Sequence, residues 1–255
     1  SSYKGVIGKW KDGTETDKKE KVTLRDAEGH YYENGTANLA NSTRAGEQPE
    51  KGDEAGSWDE TPTEKTVISK DSKTTFTYTY TEKGNVTITY VAETGGSVDP
   101  TSESLAPATG VAAGSTAAAE EGYAFKYWTN EAGEIVGWDA KYVPAKVGGL
   151  NIEATYTAHF GIDDNGDNIP DEYQKTITYK VVNGKWNDGT EADKTETVTL
   201  RDAEGHYSEN GTANLANIPR AGEQPDTGYE AGSWDETTTE KTVISKDSKT
   251  TFTYT

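Results

Sequence analysis

The chain has 255 residues, of which 31% are apolar, and this low apolar content argues against a single large hydrophobic core. Its 15 tyrosines and 6 tryptophans instead favour several small cores built on aromatic side chains. A net charge of −19 argues against nucleic acid and anionic membrane as partners, and the absence of cysteine excludes disulfides and thiol catalysis.

The sequence contains two near-identical copies of one repeat. Residues 3–79 and 179–255 differ at 13 of 77 positions, and LRDAEGHYYENGTANLAN at 24–41 returns almost unchanged at 200–217. Self-similarity at a fixed offset is typical of tandem arrays. We therefore predict four segments, which are copy 1 (residues 1–83), a middle module (84–161), an acidic linker (162–173) and copy 2 (174–255).

Each copy is predicted to consist mainly of strands. In copy 2, YKVVNGKW at 179–186 reads as an opening strand, NDGTEADK as a turn and TETVTLRD as the returning partner strand. The next segment is rich in Gly, Asn and Pro, which disfavours long regular structure, and one short helix is expected in the middle of each module. TEKTVISKDSKTTFTYT is predicted to close the copy as a second hairpin around KDS.

Alternating strands also close copy 1 and the middle module. In copy 1, Phe76, Tyr78 and Tyr80 lie on one face of the last strand. The middle module has NVTITYVAET at 85–94 and LNIEATYTAHF at 150–160, and the second of these places five apolar residues on one face: Ile152, Ala154, Tyr156, Ala158 and Phe160. These faces are predicted to point into the cores.

The middle module has a recognisable order of motifs. Its opening strand is followed by GYAFKYW at 122–128, an acidic glycine turn NEAGE at 130–134 and the closing aromatic strand. This order resembles the internalin-type B repeat, and the two copies resemble companion repeats of surface proteins of Gram-positive bacteria. The resemblance implies a β-rich α+β fold with three tandem small β-grasp-like modules in an elongated array, in a protein of the bacterial cell surface.

The linker carries the sharpest local motif, GIDDNGDNIPDEYQ at 161–174. Calcium prefers six to eight oxygen ligands, which a tight loop with side chains at alternate positions can supply. The spacing assigns this role to five residues: Asp163, Asn165, Asp167, Ile169 through its carbonyl, and Asp171. The pattern resembles the calcium loops of thrombospondin type 3 repeats, and it predicts a structural calcium ion between the middle module and copy 2. The alternative is an acidic linker without metal.

Catalytic chemistry finds little support in the sequence. Asp26, Glu28 and His30 would share one face of a strand, and such a cluster can bind zinc or transfer protons. DAEG, however, reads as a turn, and we expect that turn to scatter the three side chains. Because the chain also lacks a G-x-S-x-G motif and has only three histidines, we predict no enzymatic activity and no catalytic residue.

Four aromatic residues are candidates for contact with an external ligand. Trp10 and Trp186 lie one residue before a predicted turn, where a side chain is often exposed. Tyr32 and Tyr229 occur where the copies differ, opposite Ser208 and Asp53. The alternative for both tryptophans is packing against Val6 and Val182 in the core.

The sequence leaves two functions open. The first is a binding segment of a bacterial surface adhesin that contacts host proteins or glycans, with immunoglobulin and mucin glycoprotein as the first candidates. The second is a stalk that presents a distant domain. In either case the resemblance implies an extracellular chain, and the chain is expected to be a monomer. It is also expected to be a segment of a longer array, because it stops inside a strand pattern, TTFTYT, that continues in copy 1. An exposed aromatic patch would favour the binding function.

Overall fold

A computed structural model describes all residues from 1 to 255. The chain folds into two compact units. The first comprises Ser1–Ile88, Ser102–Ala113 and Val143–Ala154, and the second comprises Thr89–Thr101, Gly114–Tyr142 and Thr155–Thr255. Strands account for almost all of the regular structure, since the only helical element is a three-residue 3₁₀ turn, Asp171–Tyr173, in the linker.

Copy 1 lies within the first unit and is built around the pairing of its first and last long strands. Its strands are β1 (Ser2–Val6), β2 (Gly8–Lys9), β3 (Lys18–Lys19), β4 (Ala37–Asn38), β5 (Gln48–Pro49), β6 (Asp53–Trp58), β7 (Val67–Ile68) and β8 (Thr75–Glu82). The main sheet has the order β3-β1-β8-β6, and two short ladders join β2 to β5 and β4 to β7. β1 runs parallel to β8, from Ser2 opposite Thr75 to Val6 opposite Thr79.

The middle module contributes eight strands. They are β9 (Val86–Ala92), β10 (Gly96–Asp99), β11 (Ser102–Leu105), β12 (Ser115–Ala119), β13 (Tyr123–Thr129), β14 (Ile135–Gly137), β15 (Lys141–Tyr142) and β16 (Ala154–Ile162). They form a five-stranded sheet of order β11-β9-β16-β13-β14 and a three-stranded sheet of order β10-β12-β15. The predicted inward face of the closing strand is confirmed at Ala158 and Phe160, which are buried, whereas Ile152 precedes β16 and is exposed.

Copy 2 lies within the second unit and repeats the plan of copy 1. Its strands are β17 (Gln174–Val181), β18 (Gly184–Trp186), β19 (Lys194–Thr199), β20 (Ala213–Asn214), β21 (Ala221–Pro225), β22 (Val243–Ile244) and β23 (Thr251–Tyr254). β17 pairs antiparallel with β19 and parallel with β23. The predicted opening hairpin is wrong in its first strand, because only Tyr179 of residues 179–186 pairs with β19, and Gly184–Trp186 pairs with β21. The predicted hairpin around KDS is wrong, because β22 pairs with β20 instead of β23.

Aromatic rings fill the core of each copy. Tyr3, Phe76, Tyr78 and Tyr80 are buried in copy 1, which confirms the inward face that the alternation of the last strand predicts. Tyr3 and Phe76 stack with ring centroids 6.0 Å apart. The copies therefore reach stability with few aliphatic residues, because each large ring buries enough area to replace several smaller side chains.

A buried carboxylate organises each of these cores. Glu20 accepts hydrogen bonds from the hydroxyl of Tyr3 and from the backbone N–H groups of Ala40 and Asn41, at 3.0 and 3.1 Å. Burial alone would raise the pKa of Glu20, but these hydrogen bonds outweigh it and hold the pKa below its ordinary value of 4.5. Glu196 makes the equivalent contacts with Tyr179, Ala216 and Asn217.

The β-rich part of the predicted fold class is confirmed, and the helical part is wrong. No helix forms inside copy 1, the middle module or copy 2. In both copies, side chain to backbone hydrogen bonds close successive tight turns in the segment that was expected to hold a helix, as Asp26 does with Glu28 and His30. Turns of this kind compete with helix formation for the same backbone groups. No helix in the structure has both the length and the apolar character needed to cross a bilayer.

Candidate functional site

Trp10 and Trp186 belong to the cores, so their assignment as ligand contacts is wrong. Each is only 1% exposed. The indole N–H of Trp10 donates to the carbonyl of Thr16 at 2.9 Å, and its ring stacks on Trp58 with centroids 6.0 Å apart. Trp186 repeats both contacts in copy 2. The strand alternation turns both indoles inward before the chain reaches the turn. The core alternative is therefore correct for the tryptophans but wrong for their predicted partners, because Val6 and Val182 are exposed.

Copy 1 exposes a group of aromatic and basic side chains on the turn that follows Leu24. Tyr31 is 79% exposed and Tyr32 is 50% exposed. The guanidinium of Arg25 lies over the Tyr31 ring, 4.7 Å from its centroid, and donates to the carbonyl of Gly29 at 2.8 Å. We call the surface formed by Arg25, His30, Tyr31 and Tyr32 the aromatic turn face of copy 1. The sequence indicated Tyr32 but not Tyr31, because Tyr31 is unchanged between the copies.

The equivalent turn in copy 2 is covered by neighbouring residues of the second unit. His206 stacks on Trp138 with centroids 4.3 Å apart and planes 7° apart. Tyr207 stacks on Tyr173 at 5.1 Å and 11°. The N–H of Leu200 donates to the carbonyl of Tyr173 at 2.7 Å. Two stacked ring pairs and a backbone hydrogen bond therefore join copy 2 to the residues that precede it.

A charged network supports these rings. The ammonium group of Lys126 lies 3.0 Å from the carboxylate of Glu172 and 5.6 Å from the centroid of Tyr173. Burial alone would lower the pKa of Lys126, but the hydrogen bond that it donates to Glu172, together with electrostatic attraction to Tyr173, Tyr127 and Glu172, outweighs burial and raises the pKa. Lys126 therefore stays charged at neutral pH and is attracted to the ring face of Tyr173.

Tyr229 lines a cleft of copy 2. The cleft has a volume of about 520 Å³, and Val182, Pro225 and Tyr254 also line it. In copy 1 the same position is filled by Tyr80, whose hydroxyl donates to the carbonyl of Lys9 at 2.5 Å and accepts from the N–H groups of Gly46 and Gln48. The counterpart of Tyr80 would follow Thr255, so the cleft is the place of a residue that the 255-residue chain does not contain, and it assigns no ligand site to Tyr229.

The turns that contain Asp26 and Asp202 each bring two carboxylates and one imidazole close together. The prediction that the turn scatters these three side chains is therefore wrong. The imidazole Nδ1 of His30 lies 3.5 Å from Asp26 and 3.7 Å from Glu28. Asp26 accepts the N–H groups of Glu28 and His30 through one oxygen, which curls the turn and leaves its other oxygen facing the imidazole. Copy 2 has the same cluster. The potential ligand atoms lie within 4.8 Å of one another in each copy.

The linker folds into a loop that its own carboxylates organise. Asp163 is buried and accepts three backbone N–H groups, from Gly166, Asp167 and Asn168. Asn168 has φ = 65°, a left-handed conformation that asparagine tolerates well. The loop therefore has the tight turn that was predicted, and Asp163 serves as its anchor.

Three more of the predicted calcium ligands, Asn165, Asp167 and Asp171, accept hydrogen bonds within the same loop. Asp167 accepts the N–H of Ile169 at 2.9 Å and the side-chain amide of Gln174 at 2.6 Å. The bond from Gln174 is the largest cause of the lowered pKa of Asp167. Asp171 accepts the N–H of Asp164 at 3.0 Å. Carboxylate and amide oxygens are the donor type that a hard cation such as calcium prefers.

Comparison with known proteins gives one match. Residues 86–161 match the family described as the Divergent InlB B-repeat domain, and this range covers β9 to β16. No curated protein and no solved structure matched the chain. The family is not known as an enzyme family, and its repeats are found in surface proteins. The middle of the chain is thus similar to an InlB-type B repeat flanked by two copies of a second repeat.

Proposed function

We propose that this chain is a non-enzymatic spacer segment of an extracellular bacterial surface protein, in which repeat modules are joined by packed aromatic contacts. The observation that carries the proposal is the joint between the rings of Trp138 and Tyr173 and the rings of copy 2. Stacked rings fix the orientation of two modules more firmly than an open linker does, because each ring pair has a preferred geometry. The similarity of residues 86–161 to a surface-protein repeat supports the same role.

Binding of a host protein or glycan is a second candidate function, and Tyr32 favours it. This tyrosine is 50% exposed on the aromatic turn face of copy 1. An exposed tyrosine is a common anchor for protein and glycan contacts. Immunoglobulin and mucin glycoprotein are the ligands to test first, and copy 2 supplies an internal comparison because it carries Ser208 at this position.

One capture experiment separates these two functions. The immobilised chain and its Tyr32→Ser variant, which gives copy 1 the residue of copy 2, are incubated with mucosal secretions. A spacer retains no host protein above the level of a blank surface, and the two chains behave alike. Stoichiometric retention of an immunoglobulin or glycoprotein by the original chain, with loss in the variant, would replace the spacer function by binding at copy 1.

We further propose that the linker loop binds calcium and that the ion stiffens the joint. Calcium is expected to raise the thermal unfolding midpoint of the chain relative to EDTA, because a ligand that binds only the folded loop stabilises it. The Asp167→Asn, Asp171→Asn double variant should lose this effect, since it keeps the Asp163 anchor but removes two charged ligands. Equal midpoints in calcium and EDTA for the original chain would rule out the ion.

A further inference from the structure

We propose that the aromatic turn face of copy 1 is a docking surface for a further B-repeat module, one that carries the ring pair found here at Trp138 and Tyr173. The inference rests on the proposed spacer function and names the partner of that joint. It follows from a comparison within the chain, because copy 2 shows the same face with its partner in place.

The two faces have the same internal geometry. Arg201 lies 4.8 Å from the centroid of the Tyr207 ring and donates to the carbonyl of Gly205 at 2.9 Å. In copy 1 the corresponding distances for Arg25 are 4.7 Å to the Tyr31 ring and 2.8 Å to the carbonyl of Gly29. The turn of copy 1 is therefore already arranged as it is in the packed joint, and docking would require little rearrangement.

The faces differ in what covers them. The side chain of His206 is 34% exposed and that of His30 is 74% exposed, and the difference corresponds to the Trp138 ring that stacks on His206. Tyr207 is partly buried against Tyr173, whereas Tyr31 is largely exposed. Large exposed rings that are buried in an identical setting elsewhere in the chain indicate a contact surface.

The backbone N–H of Leu24 lies next to the aromatic turn face of copy 1. In copy 2 the N–H of Leu200 donates to the carbonyl of Tyr173, but the N–H of Leu24 has no hydrogen-bond acceptor within the protein. A docked module with a tyrosine at the position of Tyr173 would supply both a ring for Tyr31 and an acceptor for Leu24. Copy 1 also carries Tyr32 where copy 2 has Ser208, which adds apolar area to its face.

The occupant is a module outside this chain, since the rings of Trp138 and Tyr173 are already engaged by copy 2. The docked module would carry the side chains that the middle module and linker present to copy 2. A tryptophan would stack on His30 and a tyrosine on Tyr31, and a lysine would lie against that tyrosine, as Lys126 lies against Tyr173. The surface around the docked rings would then match the joint already present in the second unit.

The test rebuilds the joint on copy 1. Residues 84–176 are added directly before Ser1 of the full chain, so that Thr176 precedes copy 1 as it precedes copy 2. Ser1→Ile is included in every protein, because Ile177 fills this place in the core of copy 2 and the buried Ser1 hydroxyl has no partner. The readouts are hydrogen exchange at the Leu24 amide and the unfolding equilibrium of each copy.

In the chain without the addition, His206→Ala should raise the unfolding equilibrium constant of copy 2 about 2- to 10-fold, the range expected for one aromatic pair, while His30→Ala leaves copy 1 unchanged. In the extended chain, His30→Ala should cost as much as His206→Ala. The Leu24 amide should exchange at least about tenfold more slowly than before.

Two results would overturn the proposal. The first is a neutral His30→Ala together with unchanged exchange at Leu24 in the extended chain. The second is full protection of Leu24 when the added copy carries Trp138→Ala and Tyr173→Ala, because protection would then come from chain extension alone. Neither result depends on capture of a host ligand, so failure here and failure of the spacer function are distinguishable.

Discussion

Replacing Trp128 by alanine should lower the free energy of unfolding of the middle module by about 3–5 kcal/mol, the usual cost of removing a large ring from a packed core. Trp128 is fully buried, its ring forms an edge-to-face pair with Tyr90 with centroids 6.0 Å apart, and its indole N–H donates to the carbonyl of Ala140 at 3.1 Å. The variant therefore loses the transfer energy of the ring and leaves a cavity, while the carbonyl of Ala140 keeps the hydrogen bond that it accepts from the N–H of Ala117.

The measurement is native-state hydrogen exchange at amides of β13 and β16, because it isolates the middle module from the two copies. Trp128→Phe is the matched control, since it keeps most of the ring volume and should cost less than half as much. Unchanged exchange in Trp128→Ala would contradict the assignment of Trp128 to the core. A similar loss in both variants would place the effect in the hydrogen bond to Ala140 instead of the ring.

Replacing Glu20 by alanine should destabilise copy 1 by about 1–3 kcal/mol, because three donors would lose their shared acceptor and one of them, the hydroxyl of Tyr3, is buried, where an unpaired donor costs about that much. The donors are the hydroxyl of Tyr3 and the N–H groups of Ala40 and Asn41. Glu20→Gln keeps an acceptor and should cost less. Urea unfolding followed by exchange at β1 and β8 amides measures both variants, and Glu196→Ala repeats the test in copy 2.

The same contacts predict how copy 1 responds to pH. The pKa of Glu20 is lower in the folded state than its ordinary 4.5, so this carboxylate stabilises the fold above that pH, and the contribution is lost as the pH falls through the folded-state value. The pKa of Tyr3 is raised above its ordinary 10.0, chiefly by burial, so folding resists its ionisation and stability declines once the pH exceeds 10.0. The Glu20→Ala variant should lose the part of the stability of copy 1 that falls away at acid pH. The same decrease in the free energy of unfolding at acid pH in the variant and the original chain would contradict this prediction.

The sequence predicts the features of the chain that depend on local pattern. The burial of Phe76, Tyr78 and Tyr80 follows from their spacing. The order of motifs in the middle module indicated an InlB-type repeat, and the family match over residues 86–161 supports that resemblance. The sequence does not predict the burial of Glu20 and Glu196, because nothing in the local pattern distinguishes them from the other acidic residues among the 44 in the chain.

Long-range contacts explain the features that the sequence did not predict. Tyr31 and Tyr207 have the same neighbours in sequence except at the next position, Tyr32 or Ser208, and the burial of Tyr207 depends on Tyr173, which lies outside the repeated segment. The hairpin around KDS fails because Val67 and Ile68 pair with Ala37 and Asn38, some thirty residues away. The Asp26 cluster converges because one carboxylate oxygen captures two backbone N–H groups, a choice that residue spacing alone does not specify.

The parallel pairing of the first and last strands has a mechanical consequence for a protein anchored at one end and pulled at the other. Because β1 and β8 run in the same direction, tension on the two termini of copy 1 pulls these strands in opposite directions along their length. The hydrogen bonds between Ser2–Val6 and Thr75–Thr79 then bear the load together and must break together. Antiparallel terminal strands would instead be peeled apart one bond at a time, so this topology makes each copy resistant to shear force.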